Sequence, residues 1–285
     1  MKNHRWMLRV LKSGFFTTLQ DFGRFGYRNM GVPVSGVLDE VSVKKANILL
    51  ENKPEDAVLE ITMTGPTLVF EAPTYICLSG ALLSATLNNS PVDNYKVIKV
   101  ESGDILSYGR LESGFRSYLA VKNGFQGKKM LDSCSQYFPV TQKNCIKEGQ
   151  EIPYMPVEQY QPVISELKLE NHLNTQRIQV YKGPEFSILI KSQLERLFAK
   201  GFTVSEKNNR MAYQLSETIE PHSHSIVTSG TLPGTVQLTP AGKLIVLMKD
   251  GQTTGGYPRI LQFSEQSIST LAQKKSGDTI TFELI

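Results

Sequence analysis

Cysteine is scarce in this chain, and the three present, Cys77, Cys134 and Cys145, show no CxxC spacing. An odd number without paired spacing argues against a disulfide framework and against a structural zinc site. Cys77 lies in the apolar run Tyr75-Ile-Cys-Leu78 and reads as a small core residue. No apolar run approaches the roughly 20 residues of a membrane-spanning helix, so no membrane association is expected. The opening Met1-Lys-Asn-His-Arg-Trp6 carries charge with no apolar stretch behind it, so a cytoplasmic location is expected rather than a secretory signal. Strong charge of one sign is also missing. The formal net charge is +4, and basic residues gather only into pairs such as Lys128-Lys129 and Lys274-Lys275. Without a basic stripe and interleaved aromatics, nucleic acid is not an expected partner, whereas small anions stay open.

What is present is the material of a globular chain. The 285 residues are 40% hydrophobic and 20% charged, enough for one large or two ordinary domains. Short runs such as Trp6 to Val10, Ala57 to Met63, Thr67 to Phe70 and Arg116 to Val121 recur at the spacing of an all-β unit. A helix is expected from Asp39, a capping residue, to Leu50, with Val43, Ala46, Leu49 and Leu50 on one face. Pro153, Pro156 and Pro162 suggest a surface connector, which places a boundary between domains 1–160 and 161–285. Strands resume at Arg177 to Tyr181, and a second helix is expected over Phe186 to Phe198.

Two stretches are too long and too polar to be plain turns. One follows the apolar run Leu244 to Met248 and reads Asp250-Gly-Gln-Thr-Thr-Gly-Gly-Tyr-Pro258. Glycines there permit positive φ and close backbone approach, and successive N–H groups can cradle an anion. The other spans Gln20 to Gly36, with Gly23, Gly26, Gly31 and Gly36 among Gln20, Asp21, Arg24, Tyr27 and Arg28. An Asp21–Arg24 ion pair bracing a long loop is the plainer reading; Arg24 as a binder of carboxylate or phosphate is the functional one.

The two halves keep a shared order. Ser79-Gly80 and Ser229-Gly230 each lead into a strand, and Ser102-Gly-Asp104 and Ser276-Gly-Asp278 each precede another. The interval between these marks is about twice as long in the second half and holds the Asp250–Pro258 loop. Duplication explains that order, and the loop is then an elaboration of the second copy.

The stretches Thr18-Leu-Gln-Asp-Phe-Gly-Arg-Phe-Gly-Tyr27, Gly31-Val-Pro-Val-Ser-Gly36 with Asp39, and Gln252-Thr-Thr-Gly-Gly-Tyr-Pro-Arg259 resemble the signature segments of one family. It includes the C-type subunit of ATP-dependent 5-oxoprolinase, the Kip-type antagonist of a sporulation kinase inhibitor, and the first half of the urea carboxylase carboxyltransferase domain. Older usage calls it allophanate hydrolase subunit 2. Lys182-Gly-Pro184, Asn209-Arg-Met-Ala-Tyr213 and Pro233-Gly-Thr-Val-Gln237 carry the resemblance along nearly the whole chain. It implies a mainly β fold of two tandem cyclophilin-like barrels, each with one helix, and a B-type, Kip-inhibitor-like partner subunit. The implied chemistry is ATP-dependent opening of the 5-oxoproline lactam to glutamate. The alternatives are transfer of a carboxyl group from carboxybiotin to urea or a related amide, and a non-catalytic regulator that binds a Kip-type inhibitor.

Both chemistries need an amide or lactam oxygen polarised, an anion held and a proton moved. Asp21, Arg24 and Asp250 are the expected catalytic residues. Gln20, Tyr27, Ser35, Asn209, Arg210, Gln237, Gln252, Thr253, Thr254, Gly255, Gly256 and Tyr257 are the expected substrate contacts. Asn209 and Arg210 have an equally simple structural reading, with Arg210 pairing inside the second barrel. Replacement of Arg24 or Asp250 by Ala is expected to abolish turnover and leave the melting temperature nearly unchanged. The loop is expected to face Gln20–Gly36 across one cleft that the partner closes.

Three departures from the family pattern stand out. Cys134 occupies the place of a usual Arg in Leu131-Asp-Ser-Cys-Ser-Gln136. Thr228-Ser-Gly230 lacks a usual carboxylate, and Arg210-Met-Ala-Tyr-Gln214 ends in Gln where Arg is common. A changed substrate is therefore open. The phosphate-loop pattern Gly-x-x-x-x-Gly-Lys-Ser/Thr is absent, so ATP, with Mg, is expected to be held in the complex by other means or by the partner. A biotin-attachment Met-Lys-Met is absent as well, so biotin would arrive on a separate carrier. His222-Ser-His224 offers metal-ligating residues but no third ligand, and no metal is expected.

Overall fold

The computed structural model describes residues 6–164, 167 and 172–285. The opening Met1–Arg5 and part of the expected connector, residues 165–166 and 168–171, lie outside the described residues. The chain is mainly β. It divides into two compact units, Met1–Arg24 with Ser35–Leu173, and Phe25–Val34 with Asn174–Ile285.

The first unit is built on two antiparallel sheets. One has six strands in the order Glu151–Tyr154, Trp6–Lys12, Thr67–Phe70, Ile105–Ser107, Thr86–Leu87 and Ser90–Pro91. The other has five, ordered Phe16–Gln20, Val58–Thr62, Ser113–Val121, Thr74–Leu82 and Ile98–Val100. Strand alternation sends Leu59, Ile61, Leu78 and Leu119 into a core shared with Leu8, Val10, Leu68 and Phe70. The other face of the five-stranded sheet is covered by α1 (Glu40–Leu49). Val43, Ala46 and Leu49 of that helix pack on Val58, Cys77, Tyr118 and Ala120. Asp39 caps α1, its side chain accepting from Ser42 N at 3.0 Å. Cys77 is the small core residue its neighbours suggested.

Pro153 does not lie in a connector. It sits in the edge strand Glu151–Tyr154, opposite Met7. An edge position suits a residue with no N–H to give the ladder, which is why a proline cluster misleads here.

The second unit is a closed seven-stranded barrel. Its order is Arg177–Lys182, Arg259–Phe263, Thr235–Leu238, Lys243–Leu247, Ala212–Thr218, Phe202–Asn208 and Thr279–Leu284. It carries two helices where one was expected. The segment Phe186–Phe198 breaks into a 3-10 turn at Phe186–Ile188 and α2 (Lys191–Ala199), because Leu189 and Ile190 are extended. The missed helix is α3 (Glu265–Ala272). Ser264 caps it through Ser267 N, and Ile268, Leu271 and Ala272 are buried. A Ser followed by Glu and that apolar spacing was the signal.

Candidate functional site

In the first unit the Gln20–Arg24 end of the glycine-rich loop is an anchor. Asp21 Oδ1 accepts from Ser133 Oγ at 2.5 Å, Ser135 Oγ at 2.6 Å and Gly23 N at 2.8 Å. Its Oδ2 accepts from Cys134 N at 2.8 Å. Burial pushes this carboxyl up, but the four hydrogen bonds together outweigh it and hold it below its ordinary value. Arg24, fully buried, donates through Nη2 to Ser135 O at 2.6 Å. Both residues therefore clamp the Met130–Gln136 loop, a structural part beside the catalytic one expected of them. A carboxylate with both oxygens taken and its pKa held down is a weaker base than a free one. Gln20 is buried, with Nε2 on Thr18 Oγ1 and Gln136 O and no partner on Oε1. Ser35 is buried at φ 57°, its Oγ without a partner.

The other expected residues all fall in the second unit. A short ribbon pairs Ser229 with Gly255 and Gly230 with Thr254. Thr231 extends it, donating from N to Thr253 O at 3.0 Å and from Oγ1 to Gln252 O at 2.5 Å. The ribbon lies over Gln237 of the barrel. A Cβ placed on Gly255 would collide with Gln237 Nε2 and come within 2.9 Å of Gln252 Nε2, so a larger residue here would push both amide ends aside. Gln237 is 1% exposed, and its Nε2 is a buried donor with no hydrogen-bond partner. Such an atom costs about 1–3 kcal/mol where nothing accepts from it. Gly256 and Tyr257 follow on the exposed side of the same turn.

The base of this loop is held by Asp250 and Arg210. Arg210 donates Nε to Oδ2 at 2.9 Å and Nη2 to Oδ1 at 3.1 Å, with both side chains nearly buried. This is the structural reading of Arg210, and it gives Asp250 the part of a loop anchor beside the catalytic one expected of it. Asn209 has a structural part as well. Its Oδ1 accepts from Met211 N and Ala212 N, which makes it the turn between two barrel strands.

Arg28 and the Arg259–Glu185 pair were missed. Residues 25–34 cluster with the second unit, where Arg28 Nη2 donates to Thr231 O, and Tyr27 lies beside it in the chain. Arg259 donates to Glu185 through Nε at 2.9 Å and Nη2 at 2.7 Å and gives Nη1 to Gly230 O. The hydrogen bonds from Arg259 hold the Glu185 carboxyl below its ordinary value. The signals were Arg28 inside a glycine-rich stretch and Glu185 directly after Lys182-Gly-Pro184.

A groove of about 1040 Å³ runs along Gly149 to Pro156 with Lys128 and Lys143 in the first unit, and none of the expected site residues lines it. Among the described residues it presents no buried side-chain donor or acceptor without a partner. Among the described residues no three His, Cys, Asp or Glu side chains group to hold a metal, and no helix is long and apolar enough to cross a membrane.

Residues 30–284 match the family model of the carboxyltransferase domain, subdomain A and B. The chain belongs to that carboxyltransferase family. Within it, the C-type subunit of 5-oxoprolinase from Escherichia coli is 33% identical over 282 residues, covering 97% of this chain and 90% of the relative. The urea amidolyase of Saccharomyces cerevisiae is 27% identical over 96% of this chain, which spans only 16% of that protein. Among solved structures, the Kluyveromyces lactis urea carboxylase superposes on 98% of this chain with a TM-score of 0.84 at 28% identity. This carboxyltransferase-family chain matches 27% of that one.

Proposed function

We propose that this chain is the C-type subunit of an ATP-dependent 5-oxoprolinase, working with a B-type partner. The observation that carries the reading is the buried, unpartnered Gln237 Nε2 beneath the Gly255 turn. A lactam oxygen needs such a donor, preset where charge develops as the ring opens. Gln252 Nε2, close to the same turn, adds a second amide N–H. The 97% and 90% mutual coverage with the C-type subunit of a 5-oxoprolinase supports the substrate. Urea transfer from carboxybiotin is the second reading, since a urea oxygen would accept from the same amide and the chain aligns with urea amidolyase.

The helix N-termini of this chain's described residues are poor phosphate cradles. α1 and α3 open with Asp39–Glu40 and Ser264–Glu265, and carboxylates there repel phosphate. α2 opens without a glycine-rich loop. In this reading ATP is held in the complex by other means or by the partner.

Co-expression with the B-type partner should yield a complex that releases ADP and glutamate only when 5-oxoproline is present. A stable complex with no such turnover overturns the reading. Gln237→Leu in that complex should lower kcat/KM about 100-fold while the melting temperature holds or rises, since an orphan buried amide is removed. A drop in stability that matches the drop in activity would make Gln237 a packing residue instead.

A further inference from the structure

Among the described residues, Arg28 is the one arginine of the ribbon region that meets a carbonyl and no carboxylate. It opens the 3-10 turn Arg28–Met30, which closes at Gly31 with φ 79° as Gly31 N returns to Arg28 O at 3.0 Å. Nη2 reaches Thr231 O, and among the described residues this is the guanidinium's single hydrogen bond. Arg210 and Arg259 in the same unit each grip a carboxylate through two nitrogens, at Asp250 and Glu185. Arg28 has no such partner, yet it is half-buried, and that desolvation pulls its pKa down. A guanidinium offers five N–H groups in a planar fork matched to a carboxylate. Four remain to be used, at a place where water has been partly removed.

The neighbourhood says what would use them. Thr231 lies two residues along the ribbon from Ser229, which pairs with Gly255 above Gln237. That separation is roughly 7 Å along a strand. With the Arg28 guanidinium already at Thr231 O, a small lactam that also carries a carboxylate is of the size to reach from it toward Gln237. We propose that Arg28 binds the carboxylate of the substrate while Gln237 takes its lactam oxygen, which makes Arg28 the residue that selects an acidic lactam over neutral urea. This rests on the 5-oxoprolinase reading for the substrate's name and on the Arg28 geometry for its charge.

The test is calorimetric binding to the full chain in complex with its B-type partner. 5-Oxoproline should bind the wild type, and Arg28→Gln, which keeps a donor for Thr231 O but removes the charge, should weaken it about 100-fold. Arg28→Lys, which keeps the charge without the fork, should lose about tenfold. 2-Pyrrolidinone, the same ring without the carboxylate, should bind wild type and Arg28→Gln equally weakly. Unchanged 5-oxoproline affinity in Arg28→Gln overturns the proposal. So does an equal loss for 2-pyrrolidinone, which would mean a collapsed ribbon, or a loss confined to ATP, which would mean a phosphate site. Absence of 5-oxoproline binding to the wild type also overturns it. A wild type that binds 5-oxoproline without hydrolysing ATP sinks the enzymatic reading and leaves the Arg28 assignment to stand on the variants.

Discussion

Asp250→Ala will cost about 3–5 kcal/mol of stability, read as a lowered urea midpoint at unchanged slope. The change leaves Arg210 nearly buried without the two-point partner at 2.9 and 3.1 Å that offsets its desolvation. Activity of the complex should fall in step, because the Gln252–Tyr257 turn loses its base. The double replacement Arg210→Met with Asp250→Leu should recover much of the stability, since two apolar side chains need no pairing. This reverses the expectation drawn from sequence, in which Asp250→Ala abolishes turnover and spares the melting temperature. If that pattern is what is measured, Asp250 is a catalytic carboxylate after all.

Asp21→Asn carries the second large effect, about 3 kcal/mol, through the clamp on the Met130–Gln136 loop. An amide in its place keeps one acceptor and turns an N–H toward a donor, so Cys134 N or the Ser133 and Ser135 hydroxyls lose their partner. The effect depends on pH. Folding holds the Asp21 carboxyl below its ordinary value, so its contribution is complete above the unfolded value of about 3.9. It fades as pH falls through the lower folded value. Thermal melts should therefore show wild type well above Asp21→Asn at pH 7 and the gap closing in acid. A gap that stays constant into strong acid would show that the carboxylate's charge does no work in the clamp.

The difference between what sequence revealed and what it hid follows chain distance. α1 was legible because Asp39 caps it through Ser42, three residues on, and its apolar positions repeat locally. The glycine-rich turn at Gly255 was legible because its composition admits few other uses. The anchoring contacts of Asp21 and Asp250 were hidden because their partners lie far off in the chain, at Ser133–Ser135 and at Arg210. A carboxylate looks the same in sequence whether it is a base or an anchor, and only the neighbours decide. Gln237 stood among the expected contacts and closes Pro233-Gly-Thr-Val-Gln237, one of the segments that carry the family resemblance. Its weight comes from burial and from an unused N–H, neither of which a sequence displays. Pro153 misled for the opposite reason, since a residue that breaks central strands is at home on an edge.

The excursion of Phe25–Val34 into the second unit has a genetic consequence. A gene split near residue 160 would separate the barrel from the ten-residue strip that bears Arg28, and no single crossover could transplant either unit whole. Shuffling of these units between relatives would need two further breakpoints, inside one glycine-rich loop. The thread that visits one unit and returns to the other thus binds their ancestry together, and it favours inheritance of the pair as one piece.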